Sequence, residues 1–142
     1  TETGNSLESL MYHNLAMIYE NNPRVEFVIG ESYHTYVNVY GKVIRFHHGH
    51  SMKYNGGLGG ITIPVNRAID SWNKTIHAYL DVFGHWHKFF DGGNFVCNGS
   101  IIGFGAYSNW IKASFEEPKQ AFFLIDRDRG KTIVAPILVD KD

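Results

Sequence analysis

Eight histidines stand among the 142 residues, at positions 13, 34, 47, 48, 50, 77, 85 and 87. Five of them fall into two tight clusters, His47-His48-Gly49-His50 and Gly84-His85-Trp86-His87. Neutral imidazole is the commonest metal-ligating side chain, and a His-x-His pair on an extended segment presents two of them close together. The pattern points to metal binding, against the plainer reading of surface or core histidines that hold no ion. Gly84 is expected to supply the tight backbone turn that aims the His85 and His87 rings. Cys97 lies in an apolar run and reads as a small buried hydrophobe rather than a nucleophile.

The elements that must position these groups follow from periodicity. Asn5-Ser6-Leu7-Glu8 has the form of a capping box, and Leu7, Leu10, Met11, Leu15 and Ile18 share one helical face, so a helix is expected over about 6–21. Asn21-Asn22-Pro23 ends it. Alternation of Val25, Phe27 and Ile29 predicts a short strand over 24–30. Two β-rich runs, 33–40 and 42–46, meet at Gly41 and read as a hairpin delivering the first histidine cluster. Val65, Ala68, Ile69, Trp72 and Ile76 have helical spacing, which predicts a helix over about 64–77 opened by Pro64. The apolar run 79–83 reads as a buried strand ending at the second cluster. Two further hairpins are expected, 88–90 with 94–97 and 120–126 with 131–139, around Asp91-Gly92-Gly93 and Arg127-Asp128-Arg129-Gly130. Helices alternating with strands argue an α/β or α+β layered domain, helices outside a mixed sheet or sandwich, and one domain for this length.

Composition narrows the partners. Thirteen Lys and Arg against fourteen Asp and Glu leave a net charge of −1, so no global field steers the chain onto nucleic acid or an anionic membrane. An anionic ligand must be held by a local device. No apolar run approaches the roughly 20 residues of a membrane span, and the N-terminus lacks the pattern of a signal peptide. With a single cysteine, the expectation is a soluble protein of a reducing, cytoplasmic compartment. Exposed aromatic residues in the final strands would mark a homodimer edge or a surface that another segment covers.

Val43-Ile44-Arg45-Phe46-His47-His48-Gly49-His50, followed after a helix by Leu80-Asp81-Val82-Phe83-Gly84-His85-Trp86-His87, resembles the calcineurin-like metallophosphoesterases. Asn98-Gly99-Ser100 resembles the Asn-x-Gly-Ser stretch that follows Gly-His-x-His in the small phosphodiesterase and nuclease branches. The closing strands are similar too, so the likeness runs over about 33–139. It implies the C-terminal part of a four-layer αββα sandwich. It also implies a binuclear site of two divalent ions (Mn, Fe, Zn or Ni), with His48 and His85 on the second metal and His87 on the first. His50 would then contact substrate phosphate or support a ligand, and His47 would point away. In such a site two ions about 3.5–4 Å apart clamp the phosphate oxygens and activate a water. The implied substrate is a phosphate ester, a phosphodiester or nucleic acid before a monoester. Similarity to phage or bacterial DNA-repair exonucleases would place the protein in a bacterial or infected-host cytoplasm.

The sequence departs from that family in having no Asp-x-His and no Gly-Asp, and Gly4-Asn5-Ser6 replaces Gly-Asn-His. Those motifs carry the bridging carboxylate and the general-acid histidine, so the expectation is a C-terminal part of a longer enzyme, inactive by itself. Two alternatives stay open, a non-catalytic interaction domain on the same fold and a cupin-like barrel using His-x-His with Asp91-Gly92. The Gly-rich stretch Asn55–Gly60 lacks a nucleotide-binding pattern and reads as a loop bringing Lys53 and Tyr54 toward an anionic substrate. Trp86 would stack on a base or pack a neighbouring loop. His13, His34 and His77 are expected on helix or strand faces in structural roles.

Overall fold

The computed structural model describes residues 7–53, 60–110 and 115–139. The chain divides into two compact units, Thr1–Thr35 and Tyr36–Asp142. In the first, helix α1 spans Leu7–Ile18, close to expectation, and its residues are not buried. The capping residues Asn5 and Ser6 lie outside the described residues. Residues 24–30 form no strand, in contrast to the prediction. Alternation alone does not make a strand without a ladder partner, and here Asn22 Oδ1 accepts the Arg24 N–H at 3.1 Å in a tight turn.

The second unit is built on a five-stranded sheet of order β1-β2-β3-β5-β4. Its strands are β1 (Thr35–Val39), β2 (Lys42–His47), β3 (Leu80–Phe83), β4 (Phe90–Asp91) and β5 (Phe95–Cys97). Strands β2, β3 and β5 run parallel, with Phe46 opposite Val82, His47 opposite Phe83, and Phe83 opposite Cys97. Strand β4 is antiparallel to β5. A separate two-stranded sheet pairs β6 (Lys119–Asp126) with β7 (Gly130–Leu138). The β1–β2 turn is Tyr40-Gly41, with φ of 53° and 78°. Two successive positive φ values are the type I′ signature, whose twist matches that of the flanking strands.

Alternation along β2 sorts its side chains to two faces. Ile44 joins Leu80 and Val96 in a core closed by Phe46, Val82, Ala121, Phe123, Ile125 and Val134, which seals the large sheet against β6–β7. The opposite face carries helix α2 (Thr62–Trp72), whose Val65 and Ile69 pack with Met52, Phe83, Phe95 and Cys97. The result is a helix, a mixed sheet and a second sheet stacked in layers, the α/β sandwich that the sequence implied. Helices and a parallel ladder exclude the all-β cupin barrel.

Helix α2 starts two residues before Pro64 and stops at Trp72, five residues short of expectation. The stop has a side-chain cause. Asn73 turns its carboxamide oxygen onto the Ala78 N–H at 3.1 Å, and Arg45 draws in the same oxygen at 3.0 Å and Ile76 O at 3.1 Å. A five-residue helix α3 (Ala106–Trp110) follows Gly105, where no periodicity announces one. His34 and His77 lie in neither a helix nor a strand, contrary to expectation.

Candidate functional site

Parallel pairing of β2 with β3 puts the carboxyl ends of both strands on one edge of the sheet, where ligand sites of α/β folds form. Both histidine clusters leave from that edge. The junction is hydrogen-bonded, Gly84 N–H donating to His48 O at 3.2 Å. Beyond it, His48 Nε2 and His85 Nδ1 face each other at 3.1 Å. The His48 and His85 ring centroids are 5.0 Å apart, those of His48 and His50 5.4 Å, and those of His50 and His85 6.4 Å.

The backbone achieves this in a way the sequence did not suggest. Gly84 does not adopt a left-handed conformation; His85 and His87 do, at φ of 66° and 53°. The turn expected of the glycine is carried by the two histidines. Non-glycine residues in that region are strained by roughly 1–2 kcal/mol each and persist where the surroundings over-determine them, commonly at functional sites. Gly49, at φ 104°, is the residue whose missing side chain matters. A Cβ there would sit 3.2 Å from Phe83 Cδ2 and 3.3 Å from both Gly84 O and His85 Cβ.

Partial burial and the neighbouring imidazoles disfavour protonation of the facing rings. Burial lowers the pKa of His48, with His85 and His50 lowering it further; burial, then His50 and His87, lower that of His85. Neutral imidazole is the form that donates a lone pair to a cation. Among the described residues, no carboxylate belongs to the groups that act on either ring.

The other predicted residues divide. His50 belongs to the ring cluster, and His87 is close enough for its charge to be felt at both His48 and His85. Trp86 packs against the α2-side core and meets His85 edge-on, with centroids 5.5 Å apart. Lys53 is exposed, while Tyr54 and residues 55–59 of the glycine-rich stretch lie outside the described residues. His47 turns into the α2 side, stacked on Phe83 at 5.0 Å and edge-on to Trp72 at 4.9 Å. Cys97 is buried and its thiol is pushed up to about 12 by burial, with the Glu116 charge adding to it.

One group below the site was not singled out from sequence. Arg45 and Asp81, both fully buried, form a bidentate pair at 2.7 and 3.0 Å, and His47 Nε2 lies 3.5 Å from the same carboxylate. Arg45 also lies over Trp72, 5.2 Å from the ring centroid. The available signal was an opposite pair of charges flanked by apolar residues in two strands.

His48 and His85 offer two neutral nitrogen donors at a separation suited to one edge of a divalent-ion site. Among the described residues no group of three His, Cys, Asp or Glu is arranged to hold a metal ion. The pair fits part of a metal site and does not by itself make a two-metal centre.

No family model and no curated protein matches the sequence. Solved structures do. Vps29 complexed with Zn²⁺ from Entamoeba histolytica shares 15% identity with a TM-score of 0.50, over 79% of this chain and 63% of that one. A single mutant of Vps29 from the same organism gives 16% identity and a TM-score of 0.47 over 81% and 65%. An uncharacterised Streptococcus pneumoniae TIGR4 protein, described as a predicted phosphoesterase, gives 15% and 0.44 over 97% and 93%. The chain thus spans less than two thirds of the Vps29 chain, and at this identity the likeness establishes architecture alone. No described helix is long and apolar enough to cross a membrane. Layer order, the parallel ladder and the Vps29 likeness converge on one statement, that the chain has an α/β sandwich fold like that of Vps29.

Proposed function

We propose that this chain supplies the histidine ligands of a metal-dependent phosphoesterase, acting on phosphodiesters, nucleic acid among them, in preference to monoesters. The observation that carries the reading is the 3.1 Å approach of His48 Nε2 to His85 Nδ1 at the carboxyl ends of adjacent parallel strands. When bound, divalent ions supply Lewis-acid polarisation of the ester and an activated water, and they provide the positive field that a net charge of −1 lacks. His48 and His85 would hold such an ion, with His87 toward a second one; His50 would meet the phosphate, and Lys53 and Trp86 are further substrate contacts in this reading. Mn, Fe, Zn and Ni all suit a mixed imidazole and carboxylate set. Two-metal hydrolysis needs bridging carboxylates in addition to the donors described, so the isolated chain is expected to be inactive.

The test uses the full chain. Calorimetric titration with ZnCl2, NiCl2 and MnCl2 should show saturable binding that His48→Ala and His85→Ala each abolish and His77→Ala preserves. Hydrolysis of bis-p-nitrophenyl phosphate should remain at the rate of metal and buffer alone. Metal-dependent turnover by the chain would establish the hydrolase and refute the incompleteness. Absence of any saturable binding would remove the metal reading and favour a binding domain on the same fold.

A further inference from the structure

We propose that Asn98 is the positioning residue of the histidine site, tying the strand that ends in Gly84 and His85 to the second sheet. The proposal rests on the reading of His48 and His85 as the functional pair. Strand β5 ends at Cys97, and the next N–H, that of Asn98, extends the parallel ladder by donating to Phe83 O at 2.7 Å. That carbonyl is two residues before His85. The Asn98 side chain is used in the other direction. Its Oδ1 accepts the Ala121 N–H of β6 at 2.6 Å, and its Nδ2 donates to Gln120 Oε1 at 3.0 Å. Gln120 in turn donates from Nε2 to Gly99 O at 3.2 Å and to Lys119 O at 2.8 Å. Lys119 N–H closes the group on Ser100 O at 3.0 Å.

Asn98 therefore joins the end of β3, the end of β5 and the start of β6 through one residue. Elsewhere the two sheets meet mainly through apolar side chains, which resist separation but tolerate sliding, and through the Lys131–Asp91 pair of β7 and β4; the Asn98 bonds are the directional ones at the end of β3 that carries the histidines. The chemistry also selects the residue type. One acceptor and one donor are needed on a short stem, which a carboxamide provides and a carboxylate does not. The consequence falls on the loop 84–87. Its two left-handed histidines need rigid anchors, and Phe83 O is the anchor on the β3 side.

The experiment compares Asn98→Ala and Asn98→Asp with Val134→Ala, which thins the core between the sheets without touching this group. Thermal midpoints and the histidine ring proton and carbon resonances are recorded on the full chain without added metal. Asn98→Ala should lower the midpoint by roughly 4–10 °C, the loss of two partly buried hydrogen bonds in a chain of this size. It should also move the His48 and His85 ring signals and leave those of His77 in place. Asn98→Asp keeps the acceptor and loses the donor, so it should move them part of the way. Val134→Ala should lower the midpoint with the His48 and His85 signals unmoved. If either Asn98 variant displaces those signals no further than Val134→Ala does at a comparable midpoint, the positioning role is overturned. If Asn98→Ala does not fold, Asn98→Asp decides by the same comparison. Since the rings are read without metal or ester, failure here is distinct from failure of the phosphoesterase reading.

Discussion

His48 Nε2 and His85 Nδ1 approach to 3.1 Å although 37 positions separate them in the chain. Two adjacent parallel strands deliver the residues to one edge, and Gly49 lets the backbones beyond that edge come close enough for the rings to meet. The first prediction follows from that closeness. Gly49→Ala combines a strained φ with contacts to Phe83, Gly84 and His85, and should cost about 1–3 kcal/mol. Urea denaturation should show a lower midpoint at unchanged slope; an unaltered midpoint would remove Gly49 from the account.

The left-handed histidines predict an inverted order of stabilities. Replacing His87 by Gly or by Ala removes the same ring, but only Gly relieves the backbone. His87→Gly should therefore be more stable than His87→Ala by about 1–2 kcal/mol. Thermal denaturation of the pair measures it, and equal stabilities would show that His87 leaves the left-handed region in solution.

At the far end of β2, Tyr40 occupies the first position of a type I′ turn, where Asn is the favoured residue, and it is exposed beneath Arg127, 5.3 Å from the ring centroid. Tyr40→Asn should gain about 0.5–1 kcal/mol from turn chemistry, reduced by whatever the Arg127 contact contributes. A loss of stability would mean that the stacked guanidinium outweighs the turn.

The buried Arg45–Asp81 pair predicts both a mutational pattern and a pH dependence. Arg45→Met alone leaves an uncompensated buried carboxylate and should cost about 3–5 kcal/mol, whereas Arg45→Met with Asp81→Leu should cost far less. Burial pushes the Asp81 carboxyl up, but hydrogen bonds from His47 and Arg45 and the guanidinium charge outweigh it and hold the pKa below the usual carboxylate range. A folded pKa below the unfolded one contributes stability that is fully present above about pH 4 and is lost as pH falls through the folded value. Between about pH 5 and pH 2 the wild type should lose this contribution while Asp81→Asn, already without it, declines less steeply. Parallel acid profiles for the two proteins would contradict the assignment.

Local pattern was enough for much of the architecture. Amphipathic spacing announced α1 and α2, turn residues announced the hairpins, and the two histidine clusters were legible as strand-end groups, because each signal lies within a few neighbouring residues. Where the reading failed, the deciding factor lay outside the local pattern of apolar residues. Val25, Phe27 and Ile29 alternate as strand residues do, yet a strand exists only where another chain segment completes its ladder. Helix α2 has apolar spacing beyond Trp72, yet the Asn73 carboxamide and Arg45 from β2 take the groups that would have continued it. Sequence named His48, His85 and His87 as candidates. Tertiary structure decided that His48 and His85 share one 3.1 Å contact, that left-handed histidines rather than Gly84 turn the loop, and that Arg45 and Asp81 neutralise each other beneath it. Distances between residues far apart in the chain depend on strand order and register, and these are set by the packing of whole sheets, which no local window of sequence contains.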